Sequence, residues 1–288
     1  MKEAEYYHLL YDGKVRCDLC PHHCVIAEGH RGRCRSRLCS DGKLFSEAYG
    51  HPCALAIDPI EKKPLAWFHP GSECLSIACT GCNLSCKNCQ NHDISQVCPA
   101  DVPSEDLSPE GVIELARRYH QDQIAYTYTE PLTWMEYMRD TAKLAHKAGM
   151  RNILVSAGYV CQEPLKDLLP YLDAANIDLK FFSETLYHQV SGASLQPVLD
   201  TLKAIREAGV WLEITHLLIP TVNDDEKMTR AMSHWLVEQG FADVPLHITR
   251  FFPQYKMPDV PPTPLAELER ARSIAKEEGV RRVKLGNV

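Results

Sequence analysis

Residues 79–91 read CTGCNLSCKNCQN, which sets Cys82, Cys86 and Cys89 in the spacing C-x3-C-x2-C. Three thiolates on one short loop can hold three irons of a cubane and leave the fourth iron open. An open position is what a metal site needs in order to bind and activate a ligand. Gly81 and Asn83 flank the first of these cysteines and let the backbone turn tightly around a cluster. Cys79 lengthens the run to C-x2-C-x3-C-x2-C, so a closed four-thiolate cluster and a structural zinc site stand as alternatives. The run does not match the bacterial ferredoxin spacing. Cys79 also continues the alternation of Leu75 and Ile77, which points it into packing.

Working outward, the preceding ECLSIACTG alternates like a strand. After the loop, QIAYTYT, NILVSA, AANIDLK, VWLEITHLLI and VPLHITRFF are short, rich in β-branched or aromatic residues, and read as strands. Helices are expected over 108–120, 132–148, 195–208, 224–239 and 264–278, and RRVKLGN reads as a last strand. Gly149, Gly209, Gly240 and Gly279 stand just past four of these helices, as C-terminal stops should. Strand–helix units repeated about every 30 residues imply a parallel sheet covered by helices. Six or seven units fall short of a closed eightfold barrel. The expected fold is therefore α/β, a partial (β/α)6 TIM-like barrel over residues 71–288, with chemistry at the carboxyl ends of its strands.

Residues 1–70 have little periodicity and read as a Cys-rich N-terminal metal-binding module. CDLCPHHCVIAEGHRGRC places Cys17, Cys20, Cys24 and Cys34 within one loop, a complete tetrahedral donor set for zinc or an auxiliary iron–sulfur cluster. The basic run from His30 to Arg37 reads as a solvated loop. Cys39, Cys53, Cys74, Cys98 and Cys161 lie outside both cysteine groups and read as ordinary thiols.

The 288 residues carry a net charge of −7, which offers no general attraction for nucleic acid or an anionic membrane. The start, MKEAEYYHLLYDG, is polar and lacks the apolar core of a signal peptide. No run approaches the roughly 20 apolar residues of a membrane span. The expectation is a cytoplasmic protein whose clustered cysteines, among thirteen in all, serve as metal ligands or catalytic groups rather than disulfides.

C-x3-C-x2-C after the first strand of a β/α series resembles the signature of radical S-adenosylmethionine (SAM) enzymes. CQN, YTYTEP and DLK look like the branch containing pyruvate formate-lyase activating enzyme. DPIEKKPL, FHPG, GCNLSCKNCQN, DAANIDLK and FFPQYKM resemble the radical SAM member of the AmmeMemoRadiSam system, a likeness running from Cys17 to Val288. Relatives commonly continue beyond the closing LGNV with a Cys-Pro-x-Cys-Gly segment, so a shorter variant or a truncated chain is expected.

The resemblance implies a [4Fe–4S] cluster on Cys82, Cys86 and Cys89 with SAM on the open iron. It implies an electron donor of flavodoxin or ferredoxin type and a 5′-deoxyadenosyl radical that takes hydrogen from a protein or small molecule. The nearest understood chemistry is activation of a glycyl radical enzyme. Memo-like and AMMECR-like proteins accompany the narrower family. By position, Tyr128, Thr129 and Glu130 would meet the SAM amino group, though Glu130-Pro131 also suits a helix entry. Ser156 and Gly158 end the third strand near the ligand. Asp178 and Lys180 share a face, where they would contact SAM or pair with each other. Glu213, Thr215, His216 and His247 suggest a polar cavity. The fork of Arg250 suits a substrate carboxylate.

Overall fold

The computed structural model describes residues 1–288. Its main sheet has eight strands, and each strand hydrogen-bonds to its neighbour in sequence. Seven of them run parallel: Glu73–Cys79, Gln123–Tyr126, Arg151–Ser156, Ala174–Asp178, Trp211–Leu218, Leu246–Arg250 and Val283–Gly286. Helices cover the outer face, including Pro109–Arg118, Met135–Lys147, Gln196–Glu207, Glu226–Glu238 and Leu265–Glu277. Ser108 caps the first of these by accepting from Gly111 N, with Pro109 at the opening position. The sheet's edges, Pro52–Pro59 and Val283–Gly286, do not meet, so this is a partial barrel as expected.

The main differences from the sequence reading are in a strand and a helix. The strand Pro52–Pro59, which had been given to the N-terminal module, pairs antiparallel with Glu73–Cys79 and forms one edge of the barrel sheet. Prolines at both its ends hide its strand character, yet an edge strand tolerates them. A helix over Gln162–Leu168 was not foreseen; Pro164 sits in its first turn, where proline is accepted.

Between the two antiparallel strands, residues 60–71 fold back under the barrel at the amino ends of its strands. Ile60 and Leu65 pack there against the inward side chains of Cys74, Ala125, Ile153 and Ala174. Asn176 Nδ2 donates to the Pro64 carbonyl at 2.8 Å. The barrel thus has a floor, and its other end carries the cysteine loop.

The N-terminal module contains two small antiparallel sheets, Lys2–Glu3/Lys43–Ser46/Arg37–Ser40 and Tyr7–Leu9/Val15–Cys17/Val25–Ile26. It shares one hydrophobic core with the barrel, in which Val15, Ile26 and Leu44 belong with Leu84, Trp134 and Tyr137. The basic run is not wholly solvated. Arg37 is 1 % exposed and bonds both Glu136 carboxylate oxygens, at 2.8 and 2.7 Å.

Candidate active site

The C-x3-C-x2-C loop leaves the carboxyl end of Glu73–Cys79, and close contacts fix its path. Gly81 has φ +100°, and a Cβ there would lie 2.5 Å from the Cys34 carbonyl oxygen. Farther along, Ser85 N donates to Ser191 O at 2.8 Å and Lys87 N to Val190 O at 3.0 Å. The loop is therefore held between the N-terminal module and the turn ending at Gly192.

Cys86 is buried; Cys82 and Cys89 are half-buried. The three thiols feel one another electrostatically, and burial pushes those of Cys82 and Cys86 upward. Donors already point at sulfur: Leu84 N lies 3.3 Å from Cys82 Sγ, and Ser95 Oγ lies 3.2 Å from Cys89 Sγ. Ser191 Oγ, buried and without an oxygen or nitrogen partner, faces Cys86. Soft donors surrounded by N–H and O–H groups suit metal-bound thiolates. Neither cysteine group closes to the spacing at which three side chains grip one ion; a cubane holds its thiolates farther apart. Cys79 does not join this set. It is fully buried in the packing between sheet and helices, near Cys53 and Tyr137.

Glu130 and Lys180 flank the sulfurs, Glu130 beside Cys82 and Lys180 beside Cys86. Burial raises the Glu130 pKa against hydrogen bonds from Ser156 Oγ (2.6 Å), Ala157 N (2.8 Å) and Leu132 N (3.2 Å). Its carboxylate thus joins the ends of two strands and also caps the turn Pro131–Trp134, so the helix-entry role is present. Gly158 has φ +67°, and a Cβ there would press on Ile177 and Thr201. Thr129 Oγ1 donates to the Cys79 carbonyl at 2.6 Å. Asp178 and Lys180 pair with each other at 2.8 Å.

Tyr128 has φ +65°, rare for a non-glycine residue. Its carbonyl accepts from Asn91 Nδ2 at 2.6 Å, and its ring reaches down the barrel. There the hydroxyl donates to Asp58, while Lys63 Nζ lies 4.3 Å over the ring and 2.6 Å from the same carboxylate. Burial raises the Asp58 pKa, but bonds from Lys62, Lys63 and Tyr128 outweigh it and hold the group well below its ordinary 3.8. Its ionised form stabilises the fold above the unfolded value and loses that contribution as pH falls toward the native one. Asp58→Asn should therefore lower stability at neutral pH and flatten the acid limb of a denaturation-midpoint profile below about pH 4. An unchanged acid limb would count against this assignment.

The far strands engage their expected site residues in structural contacts. Glu213 was expected to line a cofactor or substrate cavity. It instead accepts from Ala66 N (3.0 Å), Trp67 N (2.9 Å), Trp211 Nε1 (3.1 Å) and His247 Nε2 (2.6 Å). Glu213 and His247 thus tie the barrel floor to the sheet, and Thr215 Oγ1 donates to Asn176 beside them. His216 faces the opposite way, donating from Nδ1 to the Leu179 carbonyl at 2.8 Å. Arg250 was expected to meet substrate; its Nε donates to Thr263 O at 2.8 Å and its guanidinium lies over Phe252. Residues 247 and 250 are three apart on a strand and must point to opposite faces, a signal present in the sequence. The roles of Asp58, Lys63 and Asn83 were missed because their partners are distant in sequence.

No helix is long and apolar enough to cross a membrane. The profile of the Radical SAM superfamily matches residues 76–232. An uncharacterized protein of Methanocaldococcus jannaschii is 46% identical over 288 residues, covering 100% of this chain and 86% of that one. The pyruvate formate-lyase-activating enzyme of Clostridium pasteurianum is 24% identical over 160 residues, 54% of this chain and 65% of that enzyme. A radical SAM methyltransferase structure from Sphaerobacter thermophilus superposes with a TM-score of 0.57 at 14% identity, covering 76% of this chain and 67% of that one. With more than half its length matched by the profile, the chain belongs to the radical SAM superfamily, an enzyme class built on a [4Fe–4S] cluster and SAM.

Proposed function

We propose that Cys82, Cys86 and Cys89 hold the [4Fe–4S] cluster and that SAM binds beside them at the carboxyl ends of the strands. The observation that carries this reading is the set of three neighbouring thiols, close enough to feel one another's charge and flanked by Glu130 and Lys180, on the loop that leaves the first parallel strand. Cluster and SAM together supply reductive S–C5′ cleavage and a 5′-deoxyadenosyl radical that abstracts hydrogen from a protein or small-molecule substrate. The chain's own part is to hold and orient. Tyr128 and Thr129 present carbonyls toward the amino group, with Glu130 as their anionic support. Lys180, steadied by Asp178, offers a cation to the carboxylate side. Ser156 and Gly158 bound the adenosine side, and the buried walls exclude water. Cys79, turned into the core, supports an open cluster over a closed electron carrier. Cys17, Cys20, Cys24 and Cys34 hold a second metal centre, zinc or an iron–sulfur cluster.

Among finer readings, activation of a partner enzyme by hydrogen abstraction from one of its glycines is favoured by the names of three matched relatives. Besides the clostridial enzyme, these are the activating enzymes of 4-hydroxyphenylacetate decarboxylase and isethionate sulfite-lyase. The chain spans about half to two thirds of those enzymes' length. Memo-like and AMMECR-like proteins are the proposed companions from the narrower resemblance.

The test is anaerobic reconstitution with iron and sulfide, followed by SAM and dithionite, reading 5′-deoxyadenosine and methionine by mass spectrometry. Wild type should cleave SAM, and Cys86→Ala should fall to the protein-free background. A fully loaded wild-type cluster that neither binds nor cleaves SAM would overturn the reading.

A further inference from the structure

Cys17, Cys20, Cys24 and Cys34 line one small cavity in the N-terminal module. Burial pushes the Cys17 thiol up to about 11, and those of Cys20 and Cys24 also upward. Part of the cavity wall comes from the barrel. Asn83, next in the chain to Cys82, lines it and is 2 % exposed. The Asn83 side-chain amide lies against the Cys20 sulfur, and Nδ2 donates to the Tyr159 carbonyl at 2.7 Å. The main-chain oxygen of Asn83 accepts from His22 Nε2 at 2.8 Å. Its Oδ1 is buried and has no hydrogen-bond partner, an arrangement that native interiors rarely keep without a reason. An amide held beside the Cys20 sulfur suits a metal-bound thiolate, whose charge favours N–H donors around it.

Two more contacts join this cavity to the catalytic end of the barrel. The Cys34 carbonyl packs against Gly81, one residue before Cys82. Arg37, also in the cavity wall, donates from Nε to Thr133 O at 3.2 Å and pairs with Glu136, just past Glu130. The strands around the four cysteines are only two to four residues long. Strands that short cannot by themselves hold a loop rigid, whereas a structural metal contributes folding free energy directly.

We propose that the four-cysteine site is a metal-bound scaffold for the catalytic cluster loop, with Asn83 as the positioning residue that couples the two cysteine groups. This inference rests on the reading of both groups as metal sites. The donor set is thiophilic, and zinc and an iron–sulfur cluster share it. Occupancy of the four-cysteine site keeps Gly81 and Asn83 seated, and so sets the direction in which Cys82 presents its sulfur.

The test compares wild type with Cys82→Ala/Cys86→Ala/Cys89→Ala, Cys20→Ser/Cys24→Ser and Asn83→Ala, all full-length and reconstituted anaerobically. Zinc, iron and sulfide are counted, chelator resistance of the central cluster is followed, and its reduced EPR signal is recorded with and without SAM. The triple variant should retain one metal centre, and the counts say whether it is zinc or iron–sulfur. Cys20→Ser/Cys24→Ser should lose that centre and hold the central cluster about tenfold less tightly, the size of effect typical of outer-shell partners. Asn83→Ala, which keeps all seven thiols, should bind both metals yet show the same chelator sensitivity and an altered EPR response to SAM. This variant also decides the case if the double cysteine variant fails to fold. A triple variant without metal would overturn the metal-site reading and the coupling with it. Metal lost in Cys20→Ser/Cys24→Ser, with the central cluster unchanged there and in Asn83→Ala, would overturn the coupling alone.

Discussion

Arg37→Met should unfold the protein roughly 6–20 °C below wild type, because it strands Glu136 in the interior without a cation, a loss of about 3–5 kcal/mol. Both side chains of this pair are essentially inaccessible to solvent, and Arg37 also donates to the Thr133 and Glu5 carbonyls. Glu5 N in turn donates to Glu136 Oε1 at 2.8 Å. The pair is thus the polar centre of the joint between module and barrel. Replacing both partners, Arg37→Met with Glu136→Leu, should recover much of the loss, since a buried pair often trades evenly against apolar packing. Calorimetric midpoints measure this. A single variant within 2 °C of wild type would show that the joint depends on its hydrophobic contacts alone.

Gly81→Ala should cost the chain its catalytic cluster. Two penalties coincide at this residue. Its φ of +100° is strained for any side chain, and the added carbon would lie 2.5 Å from the Cys34 carbonyl and 3.0 Å from Ser36 Cβ. The obstacle is backbone on one side and a buried serine on the other, so relief requires the loop to move. Moving it displaces Cys82 and opens the bond from Gly81 N to the Ile94 carbonyl. Iron and sulfide counts after reconstitution should fall severalfold, well beyond the about 1–2 kcal/mol of local strain. Gly71→Ala is the control: its φ is also positive, but nothing lies within 4 Å. Equal cluster content in both variants would sink the argument.

Much of the barrel could be read ahead of the structure because its signals are local. ECLSIACTG and NILVSA carry their strand character in adjacent residues, and the expected helix over 264–278 lies within a residue or two of Leu265–Glu277. The cysteine loop was equally legible, since its chemistry sits within a few residues. What escaped was set by pairing at long range. Arg37 looked like one more arginine in a polar run until Glu136, 99 positions on, came to meet it. Glu213 and His247 looked like cavity residues because buried polar groups on inward strand positions require partners. Their partners, the amides of Ala66 and Trp67, lie in a Pro-rich segment that has no periodic pattern and was assigned to the N-terminal module. Nothing in the spacing of Lys63 announces that it will stand beneath Tyr128.

The floor made by residues 60–71 governs traffic. Trp67 and Glu213, bonded to each other, help close the barrel at the amino ends of its strands. Routes to the interior are then left at the rim that carries Cys86 and Lys180 and along the side where the two edge strands do not meet. On the proposed reading, a protein substrate would present a flexible segment to those openings and not to the floor.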